Sequence, residues 1–277
     1  TKSAQVDDVN ALFKNFADNN PNEIIGRTLL GDLYVKCNRP DLALTQYRIA
    51  VGIKPDAYPV WKQLLLITYK EELWDTLINV SASCQALFPV QPMPFLTMAI
   101  ARNKKGDLDE AEKAIEIGSG LIVTNDPATE AEFDFQRGVL ALNRNELMKA
   151  KGWFMHSISL QPENYELKAD ITNESMSTPA LLPFADSLLN ECVSFDPSNA
   201  KFMAIKGRNY YVKNDLLLAN SWIEKAIIHG YPKKLGEEWL GDCAFRAGDL
   251  QRAKYYWLNA VSLGNQTERL KQKLNKL

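Results

Sequence analysis

Apolar residues in this chain fall on helical stripes that come in pairs, each pair split by a short polar break. The stretch Ile24–Ala57 shows the pattern most fully. Leu30, Gly31 and Tyr34 share one face of a predicted first helix, and Ala43, Tyr47 and Ala50 share one face of a second. Gly31 and Ala43 are small, so the two helix backbones are expected to approach closely while Tyr34 and Tyr47 fill the space beside them. Pro55 stops the second helix and opens the next unit, which closes a helix–turn–helix of 34 residues.

The same register returns along the chain. Residues 58–91 keep Trp61, Leu64 and Pro89 but place Leu65 and Leu77 at the small positions, so bulky Leu65, Trp74 and Leu77 are expected between helices set further apart. Residues 92–130 carry Phe95, Met98, Ala99, Gly106, Ala111, Ile115 and Gly118, and the second helix is predicted to continue through Leu121, Ile122 and Val123. Residues 131–164 hold Gly138, Ala141, Ala150, Phe154 and Pro162, with Thr129 and Glu132 as a capping box. Residues 165–199 diverge: Ala185, Leu189, Cys192 and Pro197 keep the second helix, but the first is polar, with Asn173 in place of glycine. Pro179 and Pro183 bracket its turn, and the scarcity of apolar contacts predicts the least stable, most mobile segment. Residues 200–233 recover Gly207, Tyr210, Ala219, Ile223 and Ala226, and 234–267 carry Leu240, Gly241, Ala244, Ala253, Trp257 and Ala260. At the ends, Val9, Phe13, Phe16 and Pro21 in residues 1–23 match a second helix alone, which fits a trimmed chain or an N-terminal capping helix. Leu270, Leu274 and Leu277 make residues 268–277 a C-terminal capping helix.

These offsets resemble the tetratricopeptide repeat (TPR) over essentially the whole chain. The resemblance implies an all-α fold: a right-handed superhelical α-solenoid of about seven helix–turn–helix repeats, with a partial N-terminal repeat and a capping helix, as one array over 1–277. In that family the first helix of each repeat lines a concave groove. The groove residues it implies here are Lys62, Leu66 and Tyr69, then Leu96, Ile100 and Asn103, then Phe135, Val139 and Leu142. Beyond them the groove turns polar through Asp170 and Glu174, Arg208 and Tyr211, and Glu238, Asp242 and Phe245. The apolar middle reads as a partner surface, or as core if curvature packs each first helix on its neighbour. TPR domains that clamp acidic C-termini use lysine, asparagine and arginine at fixed groove positions; Thr28, Asp32, Gln63, Met93 and Thr97 stand there instead, which argues against such a clamp.

Composition narrows the chemistry. The formal charge of −2 without a basic cluster argues against nucleic acid, and no apolar run reaches the ~20 residues of a membrane span. His156 and His229 stand far apart with no ligand at metal spacing. Glu238 and Asp242 share a helix face but are too few for a cation site, and they read as a solvated acidic face. Cys84 and Cys192 occupy small core positions too distant for a disulfide, which leaves Cys243 as the cysteine expected to be exposed. No catalytic residue, metal or cofactor is expected. The reading that follows is a non-enzymatic adaptor taking a peptide or helix in the groove of the middle repeats. Two alternatives stay open: self-association as a homodimer, through an array end carrying Phe13 and Phe16 or through the apolar strip, or an exported cell-envelope protein with Trp61 and Tyr69 stacking on sugars. The second rests on the likeness of its degenerate, asparagine-bearing repeats to exported bacterial TPR lipoproteins. The compartment is cytoplasmic or, if a signal was trimmed, periplasmic.

Overall fold

The computed structural model describes residues 2–123, 125–265 and 267–275, and every long element among them is an α-helix. The chain divides into two compact units, Thr1–Arg144 and Asn145–Leu277. Unit 1 comprises α1 (Lys2–Asn19), α2 (Ile24–Lys36), α3 (Pro40–Ile53), α4 (Tyr58–Lys70), α5 (Trp74–Leu87), α6 (Pro92–Lys105), α7 (Leu108–Gly120) and α8 (Pro127–Asn143). Unit 2 comprises α9 (Leu147–Leu160), α10 (Tyr165–Ser175), a 3₁₀ turn at Pro179–Leu181, α11 (Leu182–Phe195), α12 (Ala200–Val212), α13 (Leu216–Ile228), α14 (Lys233–Arg246), α15 (Leu250–Ser262) and α16 (Glu268–Leu274). Within each unit every helix packs on the next, so the helical hairpins form stacked layers.

Small residues set the closeness of the hairpins. A Cβ built on Gly31 would lie 2.5 Å from Cε1 of Tyr47, and one on Gly241 would lie 2.3 Å from Cδ1 of Trp257. The large ring of each second helix therefore rests directly on the backbone of the first. Leu65 and Leu77, which replace the small pair in α4 and α5, are both fully buried, and Trp74 packs beside them.

The turns repeat as regularly as the faces. Asn38, Glu72 and Gly106 in unit 1, and Asn214 and Gly248 in unit 2, take φ values of 55°, 54°, 82°, 63° and 83°. Just beyond each, Arg39, Leu73, Asp107, Asp215 and Asp249 donate their N–H to Tyr34, Thr68, Arg102, Tyr210 and Ala244 carbonyls at 2.8–3.1 Å. This is the left-handed helix stop that satisfies the last carbonyls. The hairpin of α10 and α11 lacks it and uses the 3₁₀ turn, opened by Pro179, with Pro183 in the first turn of α11.

Four expectations need correction. α7 ends at Gly120 instead of running through Val123, because Leu121 and Ile122 turn back to the Gly118 and Ser119 carbonyls at 3.2 Å. The start of α8 is capped by Asp126, which accepts from the Thr129 N–H at 3.1 Å and its hydroxyl at 2.6 Å, so the capping residue lies three positions before Thr129. The polar helix α10 is well packed, with Leu167, Ala169, Ile171, Thr172 and Ser175 buried, so the premise of few contacts fails. Its hydroxyls turn inward onto the helix's own carbonyls, Thr172 to Lys168 at 2.8 Å and Ser175 to Ile171 at 2.6 Å. Cys243 is 1% exposed, because the position before Ala244 also faces inward.

All four cysteines are free thiols. Burial pushes the Cys84 and Cys243 thiols up to about 12 and the Cys192 thiol up to about 11. Only Cys37 is partly exposed. At pH 8, a thiol-reactive chromophore should therefore titrate close to one thiol per native chain and four after denaturation.

In α16, Leu270 is fully buried and Leu274 half-buried against Ala253, Trp257 and Ala260, as a capping helix requires; Leu277 lies outside the described residues.

Candidate interaction surfaces

The residues implied for a groove fall into three environments. On α4, Lys62 is exposed, Leu66 is 45% exposed and Tyr69 is 43% exposed. On α6 and α8, Ile100, Asn103, Phe135 and Val139 are buried, and Leu96 and Leu142 are half-buried. These two first helices pack directly on each other, and the Asn103 side-chain amide donates to the Gln136 carbonyl at 3.3 Å. The middle of the strip is thus core between neighbouring first helices, and a charge at Phe135 would test folding, not binding. The preceding first helix α2 also carries exposed apolar side chains, with Ile25 55% and Val35 43% exposed. Val35 and Tyr69 occupy equivalent positions of successive repeats. Trp61 is buried, donating from its indole to the Pro55 carbonyl at 2.9 Å, so it is not available to stack on a sugar.

In unit 2 the polar stretch is an ion network. Glu238 is 1% exposed and Asp242 8% exposed, which corrects the solvated acidic face. Glu238 accepts from Arg269 at 2.9 and 3.1 Å, from Lys273 at 2.6 Å and from the Asn265 amide at 2.8 Å. Asp242 accepts from Lys273 at 2.7 Å and from the Trp257 indole at 3.0 Å. Burial works to raise both carboxyls. For Glu238, Arg269 and Lys273 outweigh it and hold the group below its ordinary value. For Asp242 burial prevails over Lys273 and the group is held above. Asp170, on α10, is likewise raised by burial against the pull of Lys201, whose ammonium lies 2.8 Å away. With both carboxylates answered by cations, this pair has no vacancy for a metal, and no cluster of three or more metal-ligating side chains occurs among the described residues.

Beside this network stands an aromatic–guanidinium ladder. The Arg208 guanidinium lies 4.4 Å from the centre of the Trp239 ring, and that of Arg246 lies 3.5 Å from Tyr211. Arg246 also donates to the Tyr211 carbonyl at 2.6 Å, and the Tyr211 ring meets Trp239 edge-on at 5.6 Å. Sequence reading named Arg208 and Tyr211 but missed Trp239 and Arg246. Trp239 immediately follows Glu238, and an aromatic between groove positions was the available sign.

No protein-family model matches the sequence, and no curated protein matches it. Solved structures do. A tetratricopeptide repeat protein from Parabacteroides merdae ATCC 43184 superposes with a TM-score of 0.60 at 15% identity, covering 91% of this chain and 97% of that one. Yeast Tom70 superposes with a TM-score of 0.67 at 14% identity, covering 98% of this chain and 57% of that one. The fold is therefore that of the TPR proteins, an all-α set of repeated helical hairpins. No helix among the described residues is long and apolar enough to cross a membrane.

Proposed function

We propose that this chain is a non-enzymatic scaffold that holds a peptide or helix of a partner protein on the exposed apolar face of α2 and α4. The observation that supports this is the exposure of Ile25, Val35, Leu66 and Tyr69 at 43–55%, on the first helices of two successive repeats. Where the neighbouring first helices α6 and α8 pack together, the counterparts of Leu66 (Ile100, Val139) are buried and those of Tyr69 (Asn103, Leu142) are buried or half-buried. Exposed apolar side chains aligned across adjacent elements are the surface a partner helix or extended segment covers. The scaffold supplies shape and apolar area, and no step of bond making is assigned to it.

The test uses Leu66→Asp/Tyr69→Asp as bait beside the wild type, in capture from the source cell's lysate and envelope fractions. Partners held by the wild type should be lost from the variant while its far-UV circular dichroism and melting stay unchanged, since both side chains already face solvent. Equal retention by the two baits would refute the assignment. A second reading, self-association, has its own support in α1, where Val9, Leu12 and Phe16 are 37%, 64% and 40% exposed along one stripe. Sedimentation that stays monomeric at rising concentration removes it.

A further inference from the structure

The first residue of α10 and the last of α11 form a stacked pair. Tyr165 and Phe195 lie nearly parallel, with ring centres 3.9 Å apart and planes 9° from each other. An earlier repeat carries Tyr58 and Phe88 at the same two places, but there the planes are tilted by 54° and Phe88 is half-buried. Phe195 is instead 62% exposed, since Tyr165 covers one face of its ring and leaves the other to solvent. The base of the stack is fixed. Tyr165 packs against the core of unit 2, and its carbonyl accepts from the Cys192 thiol at 3.4 Å.

An open aromatic face takes another ring, a nucleobase or a planar cation. The charges nearby choose among these. Residues 161–169 and 191–199 carry Glu163, Glu166, Glu191 and Asp196 against Lys168 alone. That lysine is already engaged, over the Tyr165 ring at 4.7 Å and with Oε2 of Glu191 at 2.7 Å. Lys201, the next cation along the chain, is held by Glu166 and Asp170. A nucleic acid would bring phosphates against this excess of carboxylate, and a neutral ring would gain nothing from it. An arginine gains twice, because its guanidinium stacks flat on a ring while its N–H groups reach carboxylates at the edge. Glu191 stands one turn before Phe195 on α11 and so neighbours it on the helix surface. Its side chain is 48% exposed, and Oε1 stays available as an acceptor. Unit 2 makes the same contact internally, where the Arg246 guanidinium lies 3.5 Å from the centre of the Tyr211 ring.

We propose that the outer face of Phe195 holds an arginine side chain of a partner protein, the guanidinium stacked on the ring and donating to Oε1 of Glu191. This site lies within unit 2 and does not depend on the apolar surface of α2 and α4.

The full chain, labelled with ¹⁵N, would be titrated with acetyl-Gly-Ala-Arg-Ala-Gly-amide while the backbone amides of α10 and α11 are followed by NMR. Comparison probes are the Lys peptide, the citrulline peptide, which keeps the shape without the charge, and a thymidine hexanucleotide. The Arg peptide should give a saturable shift with Kd on the order of 10 mM, the strength of one exposed stacked ion pair. The Lys peptide should bind about threefold and the citrulline peptide about tenfold more weakly, and the oligonucleotide should give no shift. Phe195→Leu keeps an apolar side chain but removes the ring; it should weaken the Arg peptide about fivefold and bring the Arg and Lys peptides level. Phe195→Trp should bind the Arg peptide at least as tightly as the wild type does. Leu66→Asp/Tyr69→Asp should leave the binding unchanged, which separates this site from the apolar surface. No saturable shift, equal binding of the Arg and citrulline peptides, unchanged binding by Phe195→Leu, or tighter binding of the oligonucleotide would each overturn the proposal. The comparison of probes on the wild type decides the matter even if a variant misfolds.

Discussion

Trp257→Ala should destabilise unit 2 by about 4 kcal/mol, the usual range for emptying a large aromatic site. The ring is 2% exposed and rests on Gly241, whose missing side chain leaves the space it fills. Phe245 packs against it at 5.4 Å between ring centres. Its indole N–H also donates to the Asp242 carboxylate at 3.0 Å and the Glu238 carbonyl at 3.2 Å. Alanine therefore opens a cavity next to a buried carboxylate and takes one of that carboxylate's donors away. Trp257→Phe restores most of the volume but not the donor, and should cost about 1–2 kcal/mol. Guanidinium denaturation followed by circular dichroism at 222 nm separates the two; equal losses for both variants would mean that the hydrogen bonds, not the volume, carry the site.

Lys273→Ala should cost about 3 kcal/mol, because it leaves two buried carboxylates with too few positive partners. The Lys273 side chain is 20% exposed and those of Glu238 and Asp242 are 1% and 10% exposed, so solvent screens this pairing far less than a surface ion pair. Arg269 remains for Glu238, but Asp242 keeps only the neutral indole. The pH dependence has a definite sign. In the wild type, depressed Glu238 contributes stability above its unfolded pKa and loses it as pH falls through its folded value. Raised Asp242 does the opposite, favouring the fold when protonated and costing stability as pH rises through its folded value. Without Lys273 both folded values move upward. The deficit of the variant should thus be fullest at neutral pH and shrink as acid protonates the pair. Amide exchange should quicken in α15 and α16 ahead of α12. A deficit independent of pH would assign the loss to packing of the lysine stem.

The helices and their faces were legible because each repeat restates them. Gly31 against Tyr47 and Gly241 against Trp257 are the same small–large contact in two repeats, and either one predicts the other. The fate of the implied groove was not legible. Whether Ile100 and Phe135 meet solvent or core depends on how closely neighbouring first helices pack, which a stripe on a single helix does not encode. The Glu238–Asp242 pair shows a signal that was present and unread. Arg269 and Lys273 stand at the same four-residue spacing on the predicted capping helix, two helices further on, and matched spacings of opposite charge on alternate helices of such an array are the pattern of a buried network.

Repeats in such an array look like interchangeable modules, each offering its neighbour the same apolar faces. The network at α14 makes the last one an exception. Its inner helix carries two carboxylates that only a neighbour bearing Arg269 and Lys273 neutralises. Moved earlier in the array, or followed by a copy of any other repeat, it would press unmatched charge into a hydrophobic seam. A repeat-shuffling experiment would therefore find α14, α15 and α16 transferable as one block and not as parts. Compatibility between modules is written here in charge as well as in volume.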